Sequence, residues 1–346
     1  MNRDLHFHFY AKDYERKQSK PKPVTYVYVA KNILYTNALD SIIYSNNGSD
    51  WSNISKGGFD VAVRKIVYSS NFWVAAGVSR ISTINTLQYS KTGSNWSNAS
   101  TGGFDTKYAT DVVYNATKKQ WVATGNGGNS TNTIQYSGNG SNWSNIVSGG
   151  FYGNYSGTGN AVAYNGSNLY VATGGGTQST NTIQYSRECS NWSNIVNSGG
   201  FNGNYGNGTG NAVVYNTTKK QWIATGDGDS VSNSIQYSGD GSNWSNIVSG
   251  GFANYGNYTG NTIAYDGKNL CVALGIATDI SACIQYSGNG SNWSNSSYNL
   301  CNIVPMNILY TGSNFLIQCD NNVLLSSTNG NTWKSVMEVP YGITKK

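Results

Sequence analysis

Proline is scarce, with 4 residues in 346, and charged side chains make up only 11% of the chain, against about 25% in ordinary soluble domains. So little charge excludes disorder of the highly charged kind. Histidine occurs only as His6 and His8, which leaves the rest of the chain without the commonest general base. No stretch approaches the ~18 uncharged apolar residues of a membrane helix, and residues 1–23 lack the apolar segment of a secretory signal. The expectation is a soluble, unexported protein, intracellular or virion-associated, with no membrane partner. The five cysteines, Cys189, Cys271, Cys283, Cys301 and Cys319, are odd in number and lack metal-ligand spacing. Buried, reduced thiols are expected rather than a disulfide framework or a zinc site. No phosphate loop, nucleophile elbow or other cofactor motif is present, so no cofactor and no metal are expected. No helical period is sustained anywhere, which excludes helical solenoids.

What the chain does contain is glycine (42), tyrosine (26) and tryptophan (10), arranged in a repeat. The phrase from Ile134 to Trp143 recurs seven times, ending at Trp51, Trp96, Trp143, Trp192, Trp244, Trp293 and Trp333. A second marker, a tyrosine closing an apolar run, recurs in phase at Tyr28, Tyr68, Tyr114, Tyr164, Tyr215, Tyr265 and Tyr310. Repeats of ~40–50 residues indicate a propeller or an array. One period holds four strand signals separated by turn residues: Asn160 to Tyr164, Leu169 to Thr173, Thr182 to Ser186 and Asn191 to Ile195. The pattern predicts an all-β fold, a seven-bladed β-propeller of four-stranded antiparallel blades over residues 24–340. A basic, aromatic tail (1–23) precedes it and a basic tail (341–346) follows. Each blade is expected to be complete without a strand borrowed from the other terminus.

Before each tryptophan stands a turn such as Asn139-Gly140, Asn289-Gly290, Asn329-Gly330, Asn47-Gly48 or Asp240-Gly241, which predicts two-residue hairpins with two positive-φ residues. The tryptophan is expected to anchor the hairpin against the neighbouring blade. The phrase resembles the Asp-box, or BNR-type, repeat of sialidase-like propellers, Ser/Thr-x-Asp-x-Gly-x-x-Trp. The copy from Ser326 to Trp333 keeps its register best, with Thr328 where that family has Asp. The other copies place serine one residue closer and have largely lost the acid, apart from Asp240 and Glu188. The resemblance implies a propeller whose boxes are structural, and sialidase activity does not follow from it. The composition also resembles that of repeat proteins of large DNA viruses of protists.

Of the net charge of +6, the segment 1–23 carries +3 and Lys345 and Lys346 carry +2. The body therefore has no cationic excess, and nucleic-acid binding by it is not expected. Lys118 with Lys119, and Lys219 with Lys220, read as solvated turn residues.

Within each repeat, the D to A and B to C loops should share one rim, and the A to B and C to D turns the other. On the first rim Gly-Gly-Phe recurs, ending at Phe59, Phe104, Phe151, Phe201 and Phe252, with the ring expected to wedge between blades. After it come Asn154-Tyr155, Asn204-Tyr205 and Asn254-Tyr255, then Asn160, Asn211 and Asn261 at the entry to each inner strand. Flat rings with hydroxyls beside amides suit a glycan, and equally a protein surface. The expectation is therefore a non-catalytic, lectin-like or protein-binding module. A scaffold tethered by the tail is the alternative. There Leu5, Phe7 and Phe9 alternate with His6 and His8, a pattern fit to add an outer strand or dock a partner. Two histidines alone make no metal site.

Sialidase-like catalysis would need three converging arginines, whereas only Arg64, Arg80 and Arg187 follow the tail, and Arg187 lies in a turn on the other rim. Glu188 and Glu338 are no better placed. Asp60, Asp105, Asp111, Asp227, Asp229 and Asp279 fall on the loop-rich rim without forming a motif-defined pair. A carboxylate-pair glycosidase is the third reading, and Asp227-Gly228-Asp229 a weak calcium candidate.

Overall fold

The computed structural model describes residues 28–31, 41–46, 50–69, 72–106, 108–152, 157–196, 199–203, 208–253, 258–298, 304–319 and 323–338. Among them every paired strand is antiparallel to its neighbour, and the helical pieces are short 3-10 turns such as Ser130–Asn132 and Ser179–Asn181. The third repeat serves as the pattern: strand A is Tyr108–Asn115, B is Gln120–Gly127, C is Ile134–Ser137 and D is Ser144–Asn145. They pair in chain order, with Tyr114 opposite Trp121, Trp121 opposite Ser137, and Tyr136 opposite Ser144. The same registers recur behind the inner strands Ala62–Tyr68, Gly157–Tyr164, Gly208–Asn216, Tyr258–Tyr265 and Pro305–Tyr310.

B strands are continuous apolar or small runs, and all six residues of Trp73–Val78 are buried, because neighbouring repeats cover both faces. The core accordingly lies between repeats: Val74 and Leu87 of one pack with Val112, Trp121 and Trp143 of the next. Leu169, Val171 and Ile183 meet Val213, Trp222 and Trp244 in the same way. The recurring tyrosine is a cross-strand partner of the first or second B residue. Its ring lies 4.6 Å from Trp73 at Tyr68 and 4.6 Å from Trp121 at Tyr114. Such pairs contribute about 0.5–1.5 kcal/mol beyond area burial.

Gly-Gly-Phe fastens five of the repeats to their predecessors. The phenylalanines are fully buried, and the Phe151 N–H donates to Thr133 Oγ1 of the preceding repeat at 2.8 Å. In the same repeat Gln184 accepts from Gly150 N–H (2.8 Å) and donates to the Gly150 carbonyl (2.6 Å). Equivalent clasps join Gln88, Gln135, Gln236 and Gln285 to Gly58, Gly103, Gly200 and Gly251. Glycine is required here: Gly103 has φ +90, and a Cβ on it would lie 2.0 Å from the Thr83 carbonyl oxygen.

Two expectations need correction. The C to D connection is not a two-residue hairpin, since Tyr136 pairs with Ser144 across seven intervening residues. Only Gly140 has positive φ there; Asn139 does not. Side-chain acceptors replace the second left-handed residue: Ser137 Oγ takes the Gly140 N–H (2.8 Å), and Asn139 Oδ1 takes those of Ser141 (3.0 Å) and Asn142 (2.8 Å). Trp143 Nε1 closes the loop onto the Gly140 carbonyl (3.0 Å). The tryptophan is anchored to the preceding repeat, because Gly102 of the connection leading into its repeat packs against Trp143 Cβ and its carbonyl, and Trp143 N–H donates to Thr101 O.

The second correction concerns Tyr28. It lies opposite Ser45 as Trp73 lies opposite Ser90, so Tyr28–Lys31 is a B strand, followed by C (Ile42–Ser45) and D (Ser52–Asn53). The tyrosine marker slipped by one strand in this repeat, because both members of the cross-strand pair are aromatic. The boundary at residue 24 lies outside the described residues.

Candidate functional site

Every described inner strand has a break in register at the same point, between Val63 and Lys65, Ala109 and Asp111, Gly159 and Ala161, Gly210 and Ala212, Gly260 and Thr262, and Pro305 and Asn307. A bulge inserts one residue and re-aims its side chain. The inserted residues are Arg64, Thr110, Asn160, Asn211, Asn261 and Met306. The first five line an open cavity of about 640 Å³ bordered by the six described inner strands. Below this polar collar the wall turns apolar, with Val113, Ala163, Val214 and Leu309, and it ends at Tyr164, Tyr215, Tyr265 and Tyr310.

Three bulge side chains stitch the wall together. Thr110 Oγ1 donates to the Gly159 carbonyl (2.6 Å), Asn160 Nδ2 to that of Gly210 (2.9 Å) and Asn211 Nδ2 to that of Gly260 (3.0 Å). Asn160 and Asn211 therefore face the cavity, with their amide donors engaged by the next repeat. Asn261 and Arg64 are exposed and make no such bond among the described residues. The structure thus gathers Asn160, Asn211 and Asn261 around one cavity. Asn154, Tyr155, Asn204, Tyr205, Asn254 and Tyr255 lie outside the described residues.

Charge in the cavity is confined to two neighbouring strands. Asp111 Oδ1 accepts from Val112 N–H (2.9 Å) and Oδ2 from Val162 N–H (3.1 Å), with Lys65 Nζ 3.8 Å away. Burial raises the Asp111 carboxyl above the usual range, and Lys65 and the two amides offset this only in part. Lys65 is thereby balanced, and Arg64 is the cation facing the cavity without a counter-charge among the described residues. Sequence reasoning weighed Arg64 only as one arginine too few for a sialidase. The available signal was a charge at the position where three other inner strands carry asparagine.

Three of the remaining rim acids are engaged separately. Asp60 accepts from Arg80 N–H (2.9 Å) and Asp229 from Asn202 Nδ2 (3.1 Å). Asp227 accepts from Asn211 Nδ2 (3.3 Å); burial raises its carboxyl, and bonds from Thr259 and Asn211 partly oppose the shift. Among the described residues no three His, Cys, Asp or Glu side chains cluster as a metal site would require. The four described cysteines, Cys189, Cys271, Cys283 and Cys319, are buried. Burial, with Asp266 nearby, pushes the Cys271 thiol up to about 12, away from the reactive range. No described helix is long and apolar enough to cross a membrane. On the opposite face Lys118 Nζ donates to the Arg187 carbonyl, so the A to B and C to D turns do share a rim.

No protein-family model matches the sequence, and no curated protein does. Solved structures are similar in fold. "YCF48 from Cyanidioschyzon merolae" superposes with a TM-score of 0.56 at 12% identity, over 94% of this chain and 97% of that one. "YCF48 bound to D1 peptide" gives a TM-score of 0.51 at 14% identity, over 79% and 80% of the two chains. YCF48 is a β-propeller, and the chain has a propeller fold of antiparallel strands.

Proposed function

We propose that the chain is a seven-bladed propeller of four-stranded blades, with C to D loops that are degenerate Asp-box turns. It acts as a non-catalytic recognition module that takes an extended segment of a partner protein at the collar of the axial cavity. The observation that carries this reading is the pair of exposed bulge residues, Arg64 and Asn261, facing a cavity whose deeper wall is apolar. Arg64 offers a planar fork of donors for a carboxylate or a run of carbonyls, Asn261 offers a donor and an acceptor, and the wall below takes apolar side chains. The likeness in fold to a structure titled as bound to a peptide supports a protein segment as ligand.

The test is to probe a peptide array and a glycan array with the full chain and with the Arg64→Ala/Asn261→Ala double variant. A hydrogen bond to a charged group contributes about 1.5–3 kcal/mol, so peptide binding should fall ~10–100-fold while the unfolding midpoint stays put. Undiminished peptide binding by the double variant would overturn the reading. Glycan binding lost instead in the Tyr155→Ala/Tyr205→Ala/Tyr255→Ala variant would move the site to the Asn-Tyr loops.

A further inference from the structure

The rim built by the A to B turns and the C to D loops carries an excess of positive charge. In the third to sixth repeats it holds six cations, Lys118, Lys119, Arg187, Lys219, Lys220 and Lys268, against three acids, Glu188, Asp240 and Asp266. All six cations are exposed, and none of them is in an ion pair among the described residues. The acids are engaged by their own loops. Asp240 Oδ1 accepts from the Ser242 and Asn243 N–H groups (2.8 Å each), Asp266 Oδ1 from those of Lys268 (2.8 Å) and Asn269 (2.9 Å), and Glu188 Oε2 from Asn191 Nδ2 (3.4 Å).

Hydrogen bonds gather the cations into two groups. Lys118 Nζ donates to the Arg187 carbonyl, which sets the lysine pair of the third repeat beside the arginine of the fourth. The Tyr265 hydroxyl donates to the Lys268 carbonyl (2.9 Å) and lies 3.1 Å from Thr218 Oγ1, which holds the Lys219-Lys220 turn beside Lys268. Between the groups, in chain order, stand the uncharged turn 165–168 and the Asp240 loop. Lys119 and Lys220 also occupy left-handed backbone, with φ +52 and +51, a region that disfavours side chains. The A to B turns of the fourth, sixth and seventh repeats place Gly166, Gly267 and Gly312 at positive φ instead. Chain reversal alone accounts for glycine in such a turn, and not for a lysine.

We propose that this rim is a second binding surface and that its partner is an acidic polypeptide segment. The segment has two runs of Asp or Glu separated by an uncharged spacer, one run for each group of cations. Lysine is a point charge on a flexible stem, suited to carboxylates presented by a mobile chain. A uniformly anionic duplex or bilayer would press like charge against Glu188 and Asp240 at the same time. None of the large apolar side chains exposed among the described residues lies in these turns to enter a membrane. The surface is separate from the collar of Arg64 and Asn261, so the inference does not depend on what the axial cavity takes.

The probe is a fluorescein-labelled peptide with two glutamate runs joined by a Gly-Ser spacer, titrated with the full chain at low ionic strength and read by anisotropy. Replacing either lysine pair, by Lys118→Ser/Lys119→Asn or Lys219→Ser/Lys220→Asn, should weaken binding about 3–10-fold, and replacing both should multiply the two losses. Asparagine tolerates the left-handed backbone, so the unfolding midpoint should stay put. Undiminished binding by the four-lysine variant would overturn the surface, and loss in Arg64→Ala instead would move the peptide to the collar. Equal affinity for a peptide with the same glutamates in a single run would refute the two-run partner. Tighter, lysine-dependent binding to phosphatidylserine vesicles or to duplex DNA would replace the acidic segment as the ligand.

Discussion

The most exacting test of the architecture is Gln184→Leu. Gln184 is fully buried and makes three bonds, two with the amide and carbonyl of Gly150 and one to Asn194 Oδ1 at 3.0 Å. Leucine fills a similar volume but strands the buried Gly150 N–H, at up to about 3 kcal/mol, and leaves the Gly150 carbonyl only a 3.4 Å bond from Asn181 Nδ2, at about 1 kcal/mol more. The loss should therefore be about 4 kcal/mol. At about 2.1 cal/mol/K per residue, ~300 ordered residues give ~0.6 kcal/mol/K at the midpoint, so the melting temperature should fall by ~6 °C. The chain contains its own control. In the last repeat Leu325 stands at the glutamine position, since Ser327 lies opposite Phe315 as Ser186 lies opposite Tyr170, and that repeat has no Gly-Gly-Phe. Leu325 is buried with no glycine amide to satisfy. Scanning calorimetry of Gln184→Leu is the assay, and a midpoint within 1 °C of the parent would refute the clasp as a fastening between repeats.

Trp143→Ala should cost about 3–5 kcal/mol, because the side chain is 3% exposed and fills the space between two repeats; an unchanged urea midpoint would refute that role. Asp240→Asn should flatten the acid limb of the stability profile between about pH 2 and 5. Burial raises the Asp240 carboxyl, but bonds from Asn243, Ser242 and Ser238 outweigh it and the net shift is downward. The ionised form is favoured in the fold, so its contribution is present above the unfolded pKa and is lost as pH falls through the folded one. An identical slope in the variant would refute the assignment. Asp111 works in the opposite sense, its burial penalty growing as pH rises through its raised folded value, so Asp111→Asn should reduce the loss of stability on the alkaline side of that window. A steeper loss there, followed by thermal unfolding against pH, would contradict it.

Much of this fold was legible because each repeat buries the same residues in the same place. Trp143 and its counterparts mark the C to D loop, and Tyr114 and its counterparts mark the end of strand A; two in-phase signals fix the period and the strand order. Where one pattern serves two geometries, the reading failed. Asn139-Gly140 is a two-residue turn in sequence, but an asparagine that accepts amides two and three residues on builds a longer loop with the same letters. Tyr28 is a tyrosine after an apolar run, yet position 170 shows that the facing B residue is tyrosine too. The bulges were hidden for a different reason: an inserted residue shifts the alternation by one, so Arg64, which lacks the repeated asparagine, leaves no periodic trace. The asparagines at 160 and 211 were found by repetition, although repetition could not show that their donors hold the next repeat.

The repeats are uniform where they hold each other and varied where they meet the axis. Glutamine, phenylalanine and tryptophan recur with their hydrogen bonds and apolar surface committed to a neighbour, so a change at any of them is paid for in stability. At the bulge the same backbone device presents Arg64, Thr110, Asn160, Asn211 and Asn261 in turn around one cavity. A ring of identical amides would accept a ligand in several equivalent rotations. This collar has one cationic sector, where Arg64 stands beside the balanced Lys65 and Asp111, followed by two amides tied into the wall and one exposed amide. On the proposed function, a bound chain segment turned by one repeat would lose the Arg64 donors to its carboxylate or carbonyls. Asymmetry built on a symmetric scaffold would on that proposal supply orientation, and Arg64→Ala alone should remove it from the cationic sector.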